Sequence, residues 1–285
     1  MNPSSKALRI LQDLPAQRET SSAAPLPTPE AGSPQGRREF LSNALKLSTG
    51  ALVYVAGASI AEAASTPALG KSHEAYRWDE HEYAYLIDTA KCIGCGSCVR
   101  ACAAENGVPE GFFRTWIERY VTGMEGTYVD SPNGGRDGFA PVHVSFVATK
   151  SFFVPKMCNH CKESPCSQVC PVGASYRTKD GAVMVDQERC IGCAYCVQAC
   201  PYGSRFISPA THTADKCTWC YHRITKGMQP ACVEVCPTGT RLFGDLKRRD
   251  DPVRRAIEHD RVEVLQTHHH TEPQCYYLNL DKEVR

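Results

Sequence analysis

The sequence predicts an α+β fold, loop-rich, with short β-hairpins and short helices, built as two modules of which one is nested inside the other. Three observations predict it. Cysteines recur in four similarly spaced groups between Cys92 and Cys236. Short apolar runs ending in Asp precede two of the groups, and a connector with hairpin character joins the second group to the third. At 285 residues and 42% hydrophobic content the chain has room for one or two domains with real cores. Lys+Arg 32 against Asp+Glu 31 leaves a formal charge of +1, which argues against nucleic acid or an anionic membrane as the main partner. Seventeen cysteines are too many for packing alone, so their spacing has to decide between disulfides, zinc and iron–sulfur chemistry.

Residues 1–70 stand apart. A polar stretch rich in Pro, Ser and Ala, running through Pro34, offers little apolar surface to bury and reads as disordered. Arg37-Arg38-Glu39-Phe40-Leu41, an apolar run from Ala44 to Ala64, and small residues at Ala61 and Ala63 resemble a cleavable twin-arginine export signal. Gly36 stands where Ser or Thr is usual, and Lys46 interrupts the run, which weakens a permanent membrane helix. The expected location is periplasmic, with membrane association through a partner.

Residues 71–111 form the first half of an outer module, opened by the strand-like run Tyr83-Ala-Tyr-Leu-Ile-Asp88 before Cys92. Residues 112–155 carry no cysteine but have aromatics at Trp116, Tyr120 and Tyr128 and a Pro132-Asn-Gly-Gly135 loop. They read as an insertion that covers a cluster or meets a partner. Residues 156–209 form the inner module, where Ala174–Thr178, the turn Lys179-Asp180-Gly181 and Ala182-Val-Met-Val185 read as a hairpin. Residues 210–245 complete the outer module and 246–285 form a C-terminal extension.

The groups are Cys92, Cys95, Cys98, Cys102; Cys158, Cys161, Cys166, Cys170; Cys190, Cys193, Cys196, Cys200; and Cys217, Cys220, Cys232, Cys236. The third is the bacterial ferredoxin run C-x2-C-x2-C-x3-C-P, in which three close cysteines hold one cubane and the fourth ligates the other cluster. Adjacency of the second and third groups makes one dicluster module; the first and fourth then exchange ligands to make the other. The expected sets, each holding one of four [4Fe–4S] clusters, are Cys92, Cys95, Cys98 with Cys236; Cys158, Cys161, Cys166 with Cys200; Cys190, Cys193, Cys196 with Cys170; and Cys217, Cys220, Cys232 with Cys102.

A disulfide framework suits an exported protein but gives no reason for a fourfold C-x2-C with a trailing Cys-Pro. Zinc would leave a surplus cysteine in most of the loops. Gly94, Gly96, Gly192 and Ala194 suit close approach of backbone to a bulky inorganic core. Ala103 replaces the proline that follows the other groups. Lys91, Arg100, Lys156, Lys162, Arg189, Arg205 and Lys216 lie beside the groups and read mostly as a solvated face. Cys275 falls outside every group and reads as a buried small hydrophobe or a free thiol. His268-His269-His270 reads as a solvated run rather than a metal site.

With these groups in view, the chain resembles the four-cluster iron–sulfur subunits of the complex iron–sulfur molybdoenzyme family over roughly Tyr83 to Phe243. These serve dimethyl sulfoxide, tetrathionate and polysulfide reductases, formate-dependent nitrite reductase systems and the sulfite-reduction-associated complex. The resemblance rests on Ile87-Asp88-x3-Cys92-Ile93-Gly94-Cys95, Cys158-Asn-His-Cys161 with Pro165-Cys166, Cys190-Ile-Gly-Cys193 through Cys200-Pro-Tyr-Gly203, and Asp215-Lys216-Cys217-x2-Cys220. Trp116-Ile-Glu-Arg-Tyr120 adds to it, while Phe153-Val-Pro-Lys156 and Thr211-His-Thr213 look most like the tetrathionate and sulfite-associated types.

The resemblance implies an electron-transfer subunit of a respiratory complex, not itself catalytic. It implies a polytopic quinol-interacting membrane subunit on one side and a molybdopterin catalytic subunit or multihaem cytochrome on the other. The alternative is a sulfite-reduction-associated complex with no molybdenum subunit. A catalytic iron–sulfur enzyme is disfavoured, since no set lacks a ligand and no radical-type C-x3-C-x2-C run or nucleotide or flavin fingerprint is present. A module whose clusters only hold the fold would differ by losing iron on reduction and reoxidation.

Overall fold

The computed structural model describes residues 76–284; the export-signal reading lies outside them. Strand β1 (Tyr83–Asp88) is the centre of the fold, buried along its whole length. It pairs antiparallel with β9 (Arg241–Asp245), Tyr85 opposite Phe243, and parallel with β10 (Cys275–Leu278), Tyr85 opposite Cys275. Because strand side chains alternate between faces, Tyr83, Tyr85 and Ile87 enter the core that contains the cysteines, while Ala84 and Leu86 meet Val253 of helix α6 (Pro252–His259). That helix starts on Asp251, which accepts a hydrogen bond from the Val253 N–H at 2.8 Å, with Pro252 in its first turn. Residues 246–285 thus supply a strand and a helix to the central sheet.

The 112–155 insertion is a second antiparallel sheet in the order β3-β2-β4, made of β2 (Thr115–Gly123), β3 (Gly126–Asp130) and β4 (Ala148–Met157). Ile117 and Met157 on one face of it, and Tyr120 and Val154 on the other, are buried in the core. Arg119 pairs with Asp130, and Lys156 with Glu118 at 2.7 Å. The anticipated hairpin is β5 (Ser175–Arg177) with β6 (Val183–Val185), Tyr176 opposite Met184. A matching ribbon, β7 (Arg205–Ile207) with β8 (Ala214–Lys216), follows the third cysteine group.

The helices that carry or directly follow cysteines are α1 (Ser97–Asn106), α2 (Pro165–Gln168), α3 (Tyr195–Gln198), α4 (Tyr221–Ile224), which starts just after Cys220, and α5 (Ala231–Glu234). Apart from α1 each is a single turn, too short to be stable alone, so packing and ligation must hold them. Among the described residues no helix is long and apolar enough to cross a membrane.

Candidate iron–sulfur centres

In every group the third cysteine lies on a helix, α1, α2, α3 or α5, and the fourth follows it by four residues, within α1 in the first group and two residues past the end of α2, α3 and α5 in the others. Residues at that spacing share a helix face. α1 packs against α5, and α2 against α3, so the fourth cysteine of one helix is delivered toward the third of its partner.

Three cysteine-lined cavities result. Cys92, Cys95, Cys98 and Cys236 line one. Cys102, Cys217, Cys220 and Cys232 line a second, and Cys158, Cys161, Cys166 and Cys200 a third. The fourth set lies at the surface: Cys190 and Cys196 pack beside Cys166, Cys170 ends the turn of α2, and Cys193 is exposed. Burial is therefore graded. All four cysteines of the Cys217 cavity are buried, whereas Cys92, Cys95 and Cys236 are half-buried.

The donor sets fit cubanes and not single ions. A tetrahedral zinc site needs its sulfurs roughly 3.8 Å apart, given Zn–S of about 2.3 Å. Among the described residues no group of three His, Cys, Asp or Glu can hold one metal ion. All seventeen cysteines are free of disulfides. Each cavity also presents a buried nitrogen with no protein partner: Arg241 Nε, Arg114 Nε with Trp219 Nε1, and Arg205 Nε and Nη1. Unpaired donors around a four-thiol cage match a group carrying sulfide acceptors and negative charge.

Backbone conformation brings further N–H groups toward sulfur. The Ala214 N–H donates to Cys190 Sγ at 3.3 Å and the Trp219 N–H to Cys217 Sγ at 3.4 Å. The Cys-Pro-x-Gly turns place Gly173, Gly203 and Gly239 at positive φ. Burial opposes ionisation of Cys170 and Cys236, yet N–H groups of Ser175 and Val172, and of Arg241 and Thr238, hold both thiols below their ordinary pKa. Deep in the core the balance reverses. Burial first, then Cys102, Cys232 and Cys158, push the Cys217 thiol well up, so iron itself must make that sulfur a thiolate.

Two glycine positions depend on close approach. A Cβ on Gly96 (φ +74) would fall 2.3 Å from the Arg136 carbonyl oxygen, and on Gly192 (φ +68) 2.3 Å from that of His212. Gly192→Ala is expected to cost about 1–3 kcal/mol and to lower the thermal midpoint of the iron-loaded protein. An unchanged midpoint would show that the loop yields freely. Ala194 occupies the left-handed region without glycine, at φ +63.

Of the basic residues beside the groups, Lys91, Arg100, Lys162 and Arg189 lie toward solvent as expected. Arg205, Lys216 and Lys156 do not; they are buried, because the ribbon β7–β8 and strand β4 turn them inward. Cys275 is fully buried on β10, where burial pushes its thiol to about 12. His268–His270 is exposed.

Sequence reasoning missed Arg241, Arg114, His160 and Trp219. A signal for the first existed: Cys200-Pro-Tyr-Gly-Ser-Arg205 and Cys236-Pro-Thr-Gly-Thr-Arg241 repeat the same offset.

Seventeen free cysteines, twelve of which line three four-cysteine cavities, define a protein of multiple [4Fe–4S] clusters. Similarity to known proteins agrees. Residues 91–174 and residues 149–246 each match a family described as 4Fe-4S dicluster domain. The chain is 41% identical over 233 residues to a tetrathionate reductase subunit of Salmonella typhimurium, covering 80% of this chain and 85% of that one. It is 46% identical over 198 residues to the tetrathionate reductase subunit of the same designation in Archaeoglobus fulgidus, covering 70% and 82%. It is 43% identical over 167 residues to the thiosulfate reductase electron transfer subunit PhsB of Salmonella typhi, covering 58% and 77%. The chain belongs to the iron–sulfur electron-transfer subunits of the complex iron–sulfur molybdoenzyme family.

Proposed function

We propose that the chain relays single electrons between two docked partners of a respiratory reductase complex. The four cysteine sets would be used in the order Cys92-Cys95-Cys98-Cys236, Cys102-Cys217-Cys220-Cys232, Cys158-Cys161-Cys166-Cys200, Cys170-Cys190-Cys193-Cys196. Cubanes bound there supply reversible one-electron chemistry. The observation that carries the order is the sharing of segments. α1 gives Cys98 to the first set and Cys102 to the second, and α5 gives Cys232 to the second while Cys236, two residues past its end, goes to the first; α2 and α3 give Cys166 and Cys196 to the third and fourth, and the residues just past them, Cys170 and Cys200, go to the fourth and third. Between the second and third sets stands the stacked pair His160 and Trp219, ring centroids 3.9 Å apart.

Burial supports entry at one end and exit at the other. The middle sets are enclosed, while exposed apolar side chains cluster beside the outer ones: Ile93 at 59% and Val235 at 42% at the first, Ile191 at 64% and Tyr195 at 58% at the last. Exposed apolar groups around a redox site suit a partner's surface. The outer module would be split around the inner one and closed by pairing of β1 with β9.

In this reading the partners are a polytopic quinol-interacting membrane subunit and a molybdopterin subunit or multihaem cytochrome. The complex works on the periplasmic side after twin-arginine export, and the named relatives favour an oxidised sulfur compound as terminal acceptor. Native purification from membranes tests this: co-purification of those subunits supports it, and a solitary monomer overturns it.

The ligand exchange has its own test. Cys236→Ser is expected to remove one cluster's worth of iron and sulfide. Alkylation followed by mass spectrometry should then find Cys92, Cys95 and Cys98 newly reactive. Reactivity at Cys217, Cys220 and Cys232 instead would replace the nested assignment with a sequential one.

A further inference from the structure

The interior contains three buried cations whose counter-charges are missing from the protein itself. Arg241, Lys216 and Arg205 are 1%, 1% and 4% exposed. Other buried basic residues pair with carboxylates: Arg119 with Asp130, Lys156 with Glu118, Arg114 with Asp215. Among the described residues no carboxylate lies within ion-pair distance of Arg241, Lys216 or Arg205. A charge taken out of water without a compensating partner is strongly disfavoured, so something of opposite sign must stand close to each.

Their positions say what it is. Arg241 lines the Cys92-Cys95-Cys98-Cys236 cavity, and its Nη1 and Nη2 reach Met157 Sδ at 3.4 Å and Thr115 Oγ1 at 2.7 Å, both on the wall of the Cys217 cavity. Lys216 Nζ donates to the carbonyl oxygen of Val183, on the wall of the Cys158 cavity, and at 2.7 Å to that of Cys217 in the next. Arg205 lines the Cys158 cavity and donates to Ser175 Oγ at 2.8 Å, beside the cluster of side chains that joins Cys166 to Cys196. One cation therefore stands in each wall between neighbouring sets.

We propose that Arg241, Lys216 and Arg205 are shared counter-charges, each raising the reduction potential of the two clusters it separates, and that Lys216 sets the step between the two modules. The inference rests on the cluster order given above. Reduction adds one electron to a cluster already bound by four thiolates, and no bond or proton need change at the cation. A fixed positive charge stabilises the more negative reduced state, so it raises the potential, and the effect is large where the dielectric is low. A cation shared by two clusters also offsets repulsion between electrons on adjacent sites.

The roles divide at the module boundary. His160 is fully buried, its Nδ1 accepts the Val183 N–H at 2.9 Å, and its Nε2 therefore carries the hydrogen donated to the Cys217 carbonyl at 3.0 Å. An Nδ1 that accepts a hydrogen bond carries no proton, so the imidazole is neutral. Lys216 is thus the charge in that wall and His160 a neutral filler.

Redox titration of the iron-loaded full chain, followed by paramagnetic resonance with signals assigned from cysteine variants, tests the proposal. Lys216→Gln keeps amide donors but removes the charge. The expected result is a fall of about tenfold in the reduction equilibrium of the two central clusters, which for a one-electron couple is about 59 mV, with the two outer clusters unmoved. Lys216→Arg should restore both. Unmoved central potentials in a Lys216→Gln protein with full iron and sulfide would overturn the proposal, as would failure of Lys216→Arg to restore them. Should Lys216→Gln not assemble, Arg241→Gln reads the same physics: the first and second clusters should fall and the fourth should not, and any other pattern rejects it. An unaltered protein without four reducible clusters would instead remove the relay reading itself.

Discussion

Trp219→Ala is expected to remove about 3–5 kcal/mol of folding stability, the range for truncating a buried large aromatic, and to speed iron loss to a chelator. Trp219 is 0% exposed. Its ring stacks on His160, lies edge-on to Phe243 at 5.7 Å and tilts against Tyr85 at 6.1 Å. It also lines the Cys102-Cys217-Cys220-Cys232 cavity, so its removal opens the deepest set on one side. Denaturant unfolding of the iron-loaded protein measures the first effect, and release of iron with time the second. Trp219→Phe retains a ring to stack and should lose much less of both. If the alanine variant matched the unaltered protein to within about 0.5 kcal/mol, the size of an ordinary surface substitution, the aromatic stack would not be what holds the two modules together.

The cysteine groups were legible in the sequence because ligand spacing is a local property: in three of them three thiols fall within one short loop, and in all four the last follows the third by four residues. The same holds for β1, whose apolar run Tyr83–Asp88 is the strand itself, and for the hairpin turned at Asp180-Gly181. The partners of β1 were hidden. β10 pairs with it in parallel from the far end of the chain, and Thr89 Oγ1 donates to the carbonyl of Asn279, a contact that no local pattern announces. Nor was the insertion's role as part of a three-stranded sheet stated, although its Thr115, Ile117 and Pro155 form walls of two cysteine cavities.

The charged residues mark the sharper limit. Lys91 and Lys216 both stand one residue before a first cysteine, yet Lys91 is solvated beside Asp88 and Lys216 is 1% exposed. The difference comes from tertiary context: Lys216 ends a strand that the inner module covers, whereas Lys91 closes a surface 3-10 turn. A side chain's charge argues for solvent only until a stronger opposite charge lies inside.

That same balance dictates the result of removing the iron. Anaerobic chelation is expected to abolish the native fold as a whole, rather than to leave an empty but folded protein. Three buried cations would lose their counter-charges together, and leaving one buried charge uncompensated costs about 3–5 kcal/mol. Their sum rivals the roughly 5–15 kcal/mol by which a domain is stable at all. The elements offer little resistance, since α2, α3, α4 and α5 are single turns of four residues, and such turns do not persist without tertiary support. Near-ultraviolet circular dichroism should collapse, the hydrodynamic radius should grow, and both should return when iron and sulfide are supplied under reducing conditions. An iron-free protein that kept its native radius and aromatic signal would mean that Arg241, Lys216 and Arg205 are neutralised by some other means, and would remove the electrostatic basis for their place between the clusters.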